Sequence, residues 1–512
     1  MRTKQSFINI LVNCFSYLLI LLGSFITRGI FSRVLGLDTV GIDGVFLNVV
    51  SMLGIVEMGM GVSIVYKLYK PIADNDREAI AVILKFLKKA YQVIGGIVLC
   101  LGLLLSLFAG EFAQDSSYPD LWLSAIFLLY VLDVLSTYLF AYKRAMFIAD
   151  QRNYINNICR SCCQLAAYLG EIVILFQFRS FVGYLLIKVI FRVLESISIS
   201  LFYNRFYRDI DLNTKKAMDP IEKKDLFFNL KAMMLHKVAG FSMSSCSNII
   251  TTRFQGLTAG GIYSNYMLIF NGLTSLSNEV FNGIIASFGN LMSSTEDDDR
   301  VYENYNILYF INYLIYSFFA ASFICVMEPF TKVWIGENAT FPIATTVLIA
   351  VYMYMSGMRQ SLIMVKTSAG IYRPDRYFAV AEAVITIGLA LTLVNYIGVF
   401  GVILGNIISM LLIPFWTQPY LVYHMVFRRS VKSYYLKYLF YAAMTAAISG
   451  LTYWVCTFIP AGPLQLVLTL AVCLILPNGI NLLCFSHTRE FRMLFQMAKE
   501  MISRITNMRR AK

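Results

Sequence analysis

Residues 33–42 read RVLGLDTVGI and residues 253–262 read RFQGLTAGGI. At a constant offset of 220, five positions coincide: Arg33 with Arg253, Gly36 with Gly256, Leu37 with Leu257, Gly41 with Gly261 and Ile42 with Ile262. Further on, Glu57 and Gly61 meet Glu279 and Gly283 after a two-residue insertion. Short matches arise by chance, and it is placement that gives this one weight: each copy joins the first and second apolar spans of a six-span unit. Six is even, so both units enter the membrane in the same direction and read as parallel repeats about an axis along the membrane normal.

The surrounding chain is apolar enough for that reading. Of 512 residues, 58% are hydrophobic and only 14% charged, with a mean hydropathy of +0.65, whereas a soluble domain carries roughly 25% charge. Residues 90–110, 305–327, 383–427 and 438–486 contain no Asp, Glu, Lys or Arg, and the last two runs are each long enough for two helices of about 20 residues. Turn signals divide them at 395–401 and 460–463. Apolar runs recur to the C-terminus, so the first is a retained helix and not a signal peptide. Fourteen spans result, at 7–31, 40–66, 89–110, 121–143, 156–178, 181–204, 233–253, 260–290, 304–327, 343–366, 376–396, 398–424, 437–458 and 463–485.

Charge tests this register independently. Of 43 Lys and Arg residues, 34 fall on the side of the N-terminus. Five (Arg28, Arg33, Arg179, Arg253 and Lys332) fall on the other, and Arg160, Lys188, Arg192 and Arg359 lie inside spans. The positive-inside rule then puts both termini in the cytoplasm. The expected fold is an all-α integral membrane protein of about 14 transmembrane helices. Two six-helix lobes form parallel repeats around a central cavity, with two extra C-terminal helices. The expected divisions are a first lobe over 1–210, a cytoplasmic linker with an amphipathic helix over 211–232, and a second lobe over 233–430. Two additional spans over 431–486 and a basic amphipathic tail over 487–512 complete the chain.

Several chemistries drop out. His236, His424 and His487 are too far apart for a paired-histidine metal motif. All ten cysteines lie in or beside apolar stretches and read as small hydrophobes. Cys159 and Cys162 have CxxC spacing, with Cys163 adjacent, but no second ligand pair accompanies them. No cofactor or metal is expected, and neither a Gly-rich phosphate loop, a serine elbow nor a paired carboxylate motif stands outside the apolar runs. Between spans, Ile80, Ile83, Leu84 and Leu87 share one face after an Asn75/Glu78 capping box. Asp219-Pro220-Ile221-Glu222 opens a second amphipathic segment before Leu226 and Leu230. A third carries Phe491, Leu494, Phe495, Ala498, Met501, Ile502 and Ile505 on a stripe whose basic reverse face suits anionic lipid headgroups.

Five further stretches carry a family resemblance: LYKPIA at 68–73, KAMMLHK at 231–237, GIYSNY at 261–266, VWIG at 333–336 and AGIYRPDRY at 369–377. In this order, from the first span to the twelfth, they resemble bacterial polysaccharide flippases of the O-antigen and capsule type, within the multidrug/oligosaccharidyl-lipid/polysaccharide (MOP) exporter superfamily. The resemblance implies two six-helix lobes around a central cavity and a polyprenyl-diphosphate-linked oligosaccharide as cargo, moved by alternating access across the bacterial cytoplasmic membrane. It also implies contacts with other polysaccharide assembly proteins and none with nucleic acid. In 245–250, SCSNII, the sequence departs from a family stretch that often has aspartate where Ser247 stands, so an ion-coupling role for that carboxylate does not carry over.

An ionised residue at bilayer depth costs about 2.5 to 3.5 kcal/mol on insertion scales, so such residues should face a cavity or one another. Arg28, Arg33, Arg253 and Arg359 have no acid at helical spacing and are the candidate diphosphate contacts, because guanidinium groups grip phosphate bidentately. Tertiary pairing with Asp43, Glu57 or Glu279 is the other reading of these arginines. Asp43, Glu57 and Glu279 are the candidates for coupling or gating, and the two glutamates read equally as packing hinges. Lys188, Arg192 and Glu195, one turn apart, are cavity or structural residues. A multidrug exporter of the same superfamily is the alternative if carboxylates line the cavity, and a membrane polymerase or glycosyltransferase a third; the chain is not expected to be an enzyme.

The topology is directly testable: reporter fusions after Arg429 and after Lys512 should both read cytoplasmic, and an external signal at either overturns the register of the last two spans.

Overall fold

The computed structural model describes residues 2–57, 60–114, 116–214, 216, 220–294, 298–369, 371, 374, 376–462 and 464–496, with side chains from residue 19 onward except at 55–56, 60–64, 66, 220–244 and parts of 280–298 and 376. These residues form helices and turns, with no strand among them. In chain order the helices are α1 (Arg2–Leu35), α2 (Leu37–Leu53), α3 (Met60–Ala73), α4 (Arg77–Ser106), α5 (Ala109–Phe112), α6 (Asp120–Tyr138), α7 (Ala141–Ala149), α8 (Asn153–Phe178) and α9 (Phe181–Phe206). There follow α10 (Pro220–Ser294), α11 (Asp298–Trp334), α12 (Ile343–Met358), α13 (Gln360–Ser368), α14 (Arg376–Leu412), α15 (Pro414–Val422), α16 (Lys432–Cys456) and α17 (Gln465–Phe485). Two compact units result, Met1–Ser264 and Asn265–Lys512, and the division falls within α10.

Among the described residues, nine helical stretches are long and apolar enough to cross a membrane. The chain is an all-helical, multi-pass membrane protein. The stretches do not map one to one onto fourteen spans, because two of them run through a break: Leu19–Leu53 contains Gly36, and Tyr377–Phe427 contains Ile397 and Gly398, where the dihedrals leave the helical region. That second break falls inside the 395–401 turn signal.

Gly36 and its repeat partner Gly256 adopt the same backbone conformation, φ 85° and ψ 164° against φ 85° and ψ 168°. Positive φ at this ψ is open to glycine and closed to residues with a Cβ, so both copies of the motif break their helix at the same place for the same reason. The two copies also touch, within the first unit. A methyl on Gly41 would collide with the Leu257 carbonyl oxygen, and one on Gly261 with the Leu37 carbonyl oxygen. Gly44 faces Ser264, the position 220 residues on, and Thr258 donates to Asp38, again its own repeat equivalent, at 2.5 Å. Reciprocal contacts between equivalent positions mark a local two-fold axis, and small residues let the backbones close on it.

Several elements differ from expectation. The Ile80, Ile83, Leu84 and Leu87 face is buried as drawn, but it does not belong to a separate surface helix: α4 runs unbroken from Arg77 to Ser106, since Lys85 to Tyr91 contains no helix breaker. Its cap is Asp76, whose carboxylate accepts from the Ala79 amide at 2.9 Å, while Asn75 takes a left-handed φ of 53° and Glu78 pairs with Lys216. The span drawn over 40–66 divides into α2, a 3-10 turn at Gly54–Glu57, and α3. The span over 343–366 divides into α12 and α13 at Arg359. Pro220 opens α10; Asp219 and the side chains of Ile221 to Leu230 lie outside what is described, as do Ala498, Met501, Ile502 and Ile505 of the tail.

In the first unit, α8 packs against α1 and α9, and α6 against α4 and α9. In the second, α11 is the spine against which α12, α16 and α17 lie. Tyr305, Tyr309, Tyr313 and Tyr316 recur at three- and four-residue spacing along α11, are fully buried, and stack on rings such as Tyr441, 4.2 Å from Tyr313.

The axis contact makes a prediction. Gly41→Ala and Gly261→Ala force backbone against backbone and should each destabilise the protein by roughly 1–3 kcal/mol. Gly450→Ala, in open space on α16, should be neutral or stabilising. Thermal unfolding in detergent, read by size exclusion, checks the contrast.

Candidate functional site

The charged residues of the first unit are not scattered. Arg28 on α1 pairs with Asp43 on α2, and the Tyr130 hydroxyl on α6 donates to the other oxygen of the same carboxylate. The Lys188 ammonium sits over the Tyr130 ring, 5.4 Å from its centroid, and lies 3.9 Å from Asp133. Asp133 accepts from Arg192 at 3.3 Å; Arg192 also reaches Glu195 at 3.2 Å; and Glu195 is shared with Arg144 at 3.0 Å. Arg144 adds a bond to Ser196 Oγ at 3.1 Å. The result is one chain of alternating charge through α1, α2, α6, α7 and α9. Glu171 on α8 is 1% exposed and lies within electrostatic reach of Lys188 and Asp133, with its Oε2 accepting no hydrogen bond.

The second unit holds a smaller arrangement of the same kind. Arg359, at the junction of α12 and α13, donates to Glu382 on α14 at 3.1 Å and to Gln418 on α15 at 3.2 Å. The junction is itself supported: buried Asn312 on α11 donates to the Gly357 and Met358 carbonyls at 3.0 and 3.2 Å. Carbonyls released by a break at bilayer depth need such a partner.

The sequence-derived candidates thus separate. Arg28 and Arg359 are half-buried and pair with buried carboxylates, the first with Asp43 and the second with Glu382, which periodicity did not single out. Arg33 and Arg253 are exposed and sit three residues before Gly36 and Gly256, so they are equivalents in the repeat as well as in the alignment. Glu57 lies in the 3-10 turn between α2 and α3 and accepts from the Tyr91 hydroxyl at 2.9 Å; Glu279 is exposed on α10. Lys188, Arg192 and Glu195 share one network through Asp133. Sequence reading passed over Asp133, Arg144, Glu171 and Glu382; of these Asp133, Glu171 and Glu382 stood as single charges in otherwise apolar runs.

It also passed over Lys143. That ammonium is buried without a carboxylate, bonded to Ser200 Oγ at 2.7 Å and Asn204 Oδ1 at 2.9 Å among the rings of Phe140, Tyr142 and Tyr203. Beyond the end of α9, Tyr207 donates to Asp150 at 2.7 Å, and burial together with that carboxylate pushes the phenol above the ordinary tyrosine range.

No protein-family model matches the sequence, and no curated protein sequence does. Solved structures do match its fold. The lipid II flippase MurJ in an inward closed conformation superposes with a TM-score of 0.67 at 12% identity, covering 93% of this chain and 98% of that one. An inward-facing MATE family multidrug resistance transporter of the MOP superfamily gives 0.59 at 15%, covering 78% and 92%. A Vibrio cholerae MATE transporter, VcmN, gives 0.55 at 12%, covering 84% and 98%. The chain shares the fold of these flippase and MATE structures.

The ion pairs predict a non-additive response. Glu382→Gln strands the Arg359 charge and should cost about 3–5 kcal/mol of stability. Combining it with Arg359→Gln removes both charges and should recover most of that loss. Equal instability of the single and double variants, by thermal unfolding, would mean that the pair contributes nothing beyond its packing.

Proposed function

We propose that this protein is a flippase that moves a polyprenyl-diphosphate-linked oligosaccharide from the cytoplasmic to the external leaflet of the bacterial cytoplasmic membrane, for cell-surface polysaccharide assembly. One observation carries the reading. The flippase superposes over 93% of this chain, while the two multidrug transporters reach 78% and 84% at lower TM-scores. The short motifs noted in the sequence point the same way and supply the sugar-lipid class. Both termini are proposed to lie in the cytoplasm, from the loop charge asymmetry, and anionic lipids to contact the basic rim.

On this reading Arg28, Arg33, Arg253 and Arg359 bind the diphosphate. Arg28 and Arg359 are already held by carboxylates, and a diphosphate presents oxygens of the same charge and similar reach, so substrate can replace Asp43 or Glu382 as partner. Asp43, Glu57 and Glu279 are then the residues through which gating or coupling acts. The multidrug reading has its own supporting observation, the buried Glu171 carboxylate with an unbonded oxygen, which suits a cationic cargo.

Leaflet-resolved assay of a lipid-linked oligosaccharide in vesicles containing the purified protein separates these readings. Protein-dependent outward movement without bond formation is expected. Arg28→Ala or Arg359→Ala should abolish it per folded molecule, after correction for the abundance lost when Asp43 or Glu382 is stranded, and Arg→Lys should restore only part, because an ammonium lacks the planar fork. Efflux of organic cations with no lipid movement would establish the multidrug reading, and chain lengthening of the sugar would establish a polymerase.

A further inference from the structure

Cys325 on α11, Cys456 at the last position of α16 and Cys473 on α17 come from three different helices and converge, their sulfur atoms all lying within 4.8 Å of one another. None is in a disulfide; Cys325 and Cys473 are buried and Cys456 is half-buried. Among the described residues this is the one group of three or more His, Cys, Asp or Glu side chains close enough to share an ion.

We propose that Cys325, Cys456 and Cys473 form a site for a single soft divalent cation of the zinc and cadmium class.

Donor type selects the class: sulfur ligands favour soft ions, and no carboxylate belongs to the group. Geometry fits it as well. A tetrahedral ion with metal–sulfur bonds of about 2.3 Å requires sulfurs about 3.8 Å apart, so the three thiols need close by only about 1 Å or less. Three sulfurs leave one position of the tetrahedron open to water.

The thiolate, not the thiol, is the metal ligand, so all three cysteines bind deprotonated and three protons leave to water for each ion bound. Cys456 ends α16 beside the turn at 457–462, which gives the ion an aqueous approach. Once bound, it ties the last two helices to α11, the spine of the second unit.

The ordinary reading of buried cysteines as small hydrophobes makes a different forecast, and cadmium tests it. Full-length protein in detergent, reduced and desalted, is titrated with Cd²⁺ while thiolate-to-metal absorption and proton release are followed. The background carries serine at Cys159, Cys162 and Cys163, so that the sulfur-rich stretch of α8 does not contribute. The expected result is one Cd²⁺ per chain with three protons released, and a rise in unfolding temperature on loading.

Cys473→Ala or Cys456→Ala should weaken binding by more than the roughly 100-fold that an outer-shell change costs and should cancel the thermal shift. Cys456, at a helix end and half-buried, keeps the test available if the deeper Cys473 variant does not fold. Cd²⁺ binding that is absent, or is unchanged in Cys456→Ala, overturns the proposal. So does a disulfide between any two of the three in protein quenched in acid and weighed without reductant.

Discussion

The charged groups of both units follow one rule, that a charge at bilayer depth must be answered, most often by an opposite charge and at Lys143 by hydroxyl, amide and aromatic groups. The penalty for an unanswered one, about 2.5 to 3.5 kcal/mol even on lenient insertion scales, is a large part of a typical folding free energy. The first unit meets the rule with a continuous chain of alternating groups from Arg28 through Asp43, Tyr130, Lys188, Asp133, Arg192 and Glu195 to Arg144. Five helices are thereby tied to each other by charge, so none of these residues can be read alone. Removing any one member leaves a neighbour with an excess charge in the same low dielectric.

The second constraint is on the backbone. Helices crossing a bilayer satisfy their own amides and carbonyls, and every interruption must find replacements. This chain interrupts its helices repeatedly, at Gly36, Gly54–Glu57, Gly256, Arg359 and Ile397–Gly398, and each candidate residue of interest except Glu279 lies on or within a turn or two of a break or in the charge chain beside one. At Arg359 the replacement donor is Asn312, fully buried on α11. Interruption is what lets a guanidinium at this position reach two other helices. A continuous helix would fix its side chain in the ordinary radial direction.

How much of this the sequence disclosed follows from range. The helical, membrane-spanning character was legible because hydropathy is a local average, and the repeat was legible because Gly36 and Gly256 do the same conformational job with the same residue. The split at 395–401 was legible because it needs a glycine, here Gly398 at φ 59°. By contrast, the break at Arg359 leaves only a weak composition signal, the Ser356-Gly357 pair, and its support comes from Asn312, 45 residues from Gly357. The Arg359–Glu382 pair and the Asp133 hub were hidden for the same reason: each partner belongs to a different span, and helical spacing reports only neighbours three or four residues apart. Cys325, Cys456 and Cys473 show the limit most plainly, because nothing in their spacing distinguishes them from the other cysteines.

The matched charges also bear on what a transporter of this fold could do with them. A cavity lined by bare guanidinium groups would bind a diphosphate tightly and release it slowly, and its empty form would carry the whole desolvation penalty. When each arginine is held by a carboxylate, the empty state is already neutralised. Substrate entry becomes an exchange of one anion for another, so the free energies of the loaded and empty protein stay close. Turnover needs that near-equality, because a ligand shifts a conformational equilibrium only by its difference in affinity for the two states. On the proposed reading, Asp43 and Glu382 are therefore as much part of the substrate site as Arg28 and Arg359: they keep the arginines present at depth and make them releasable.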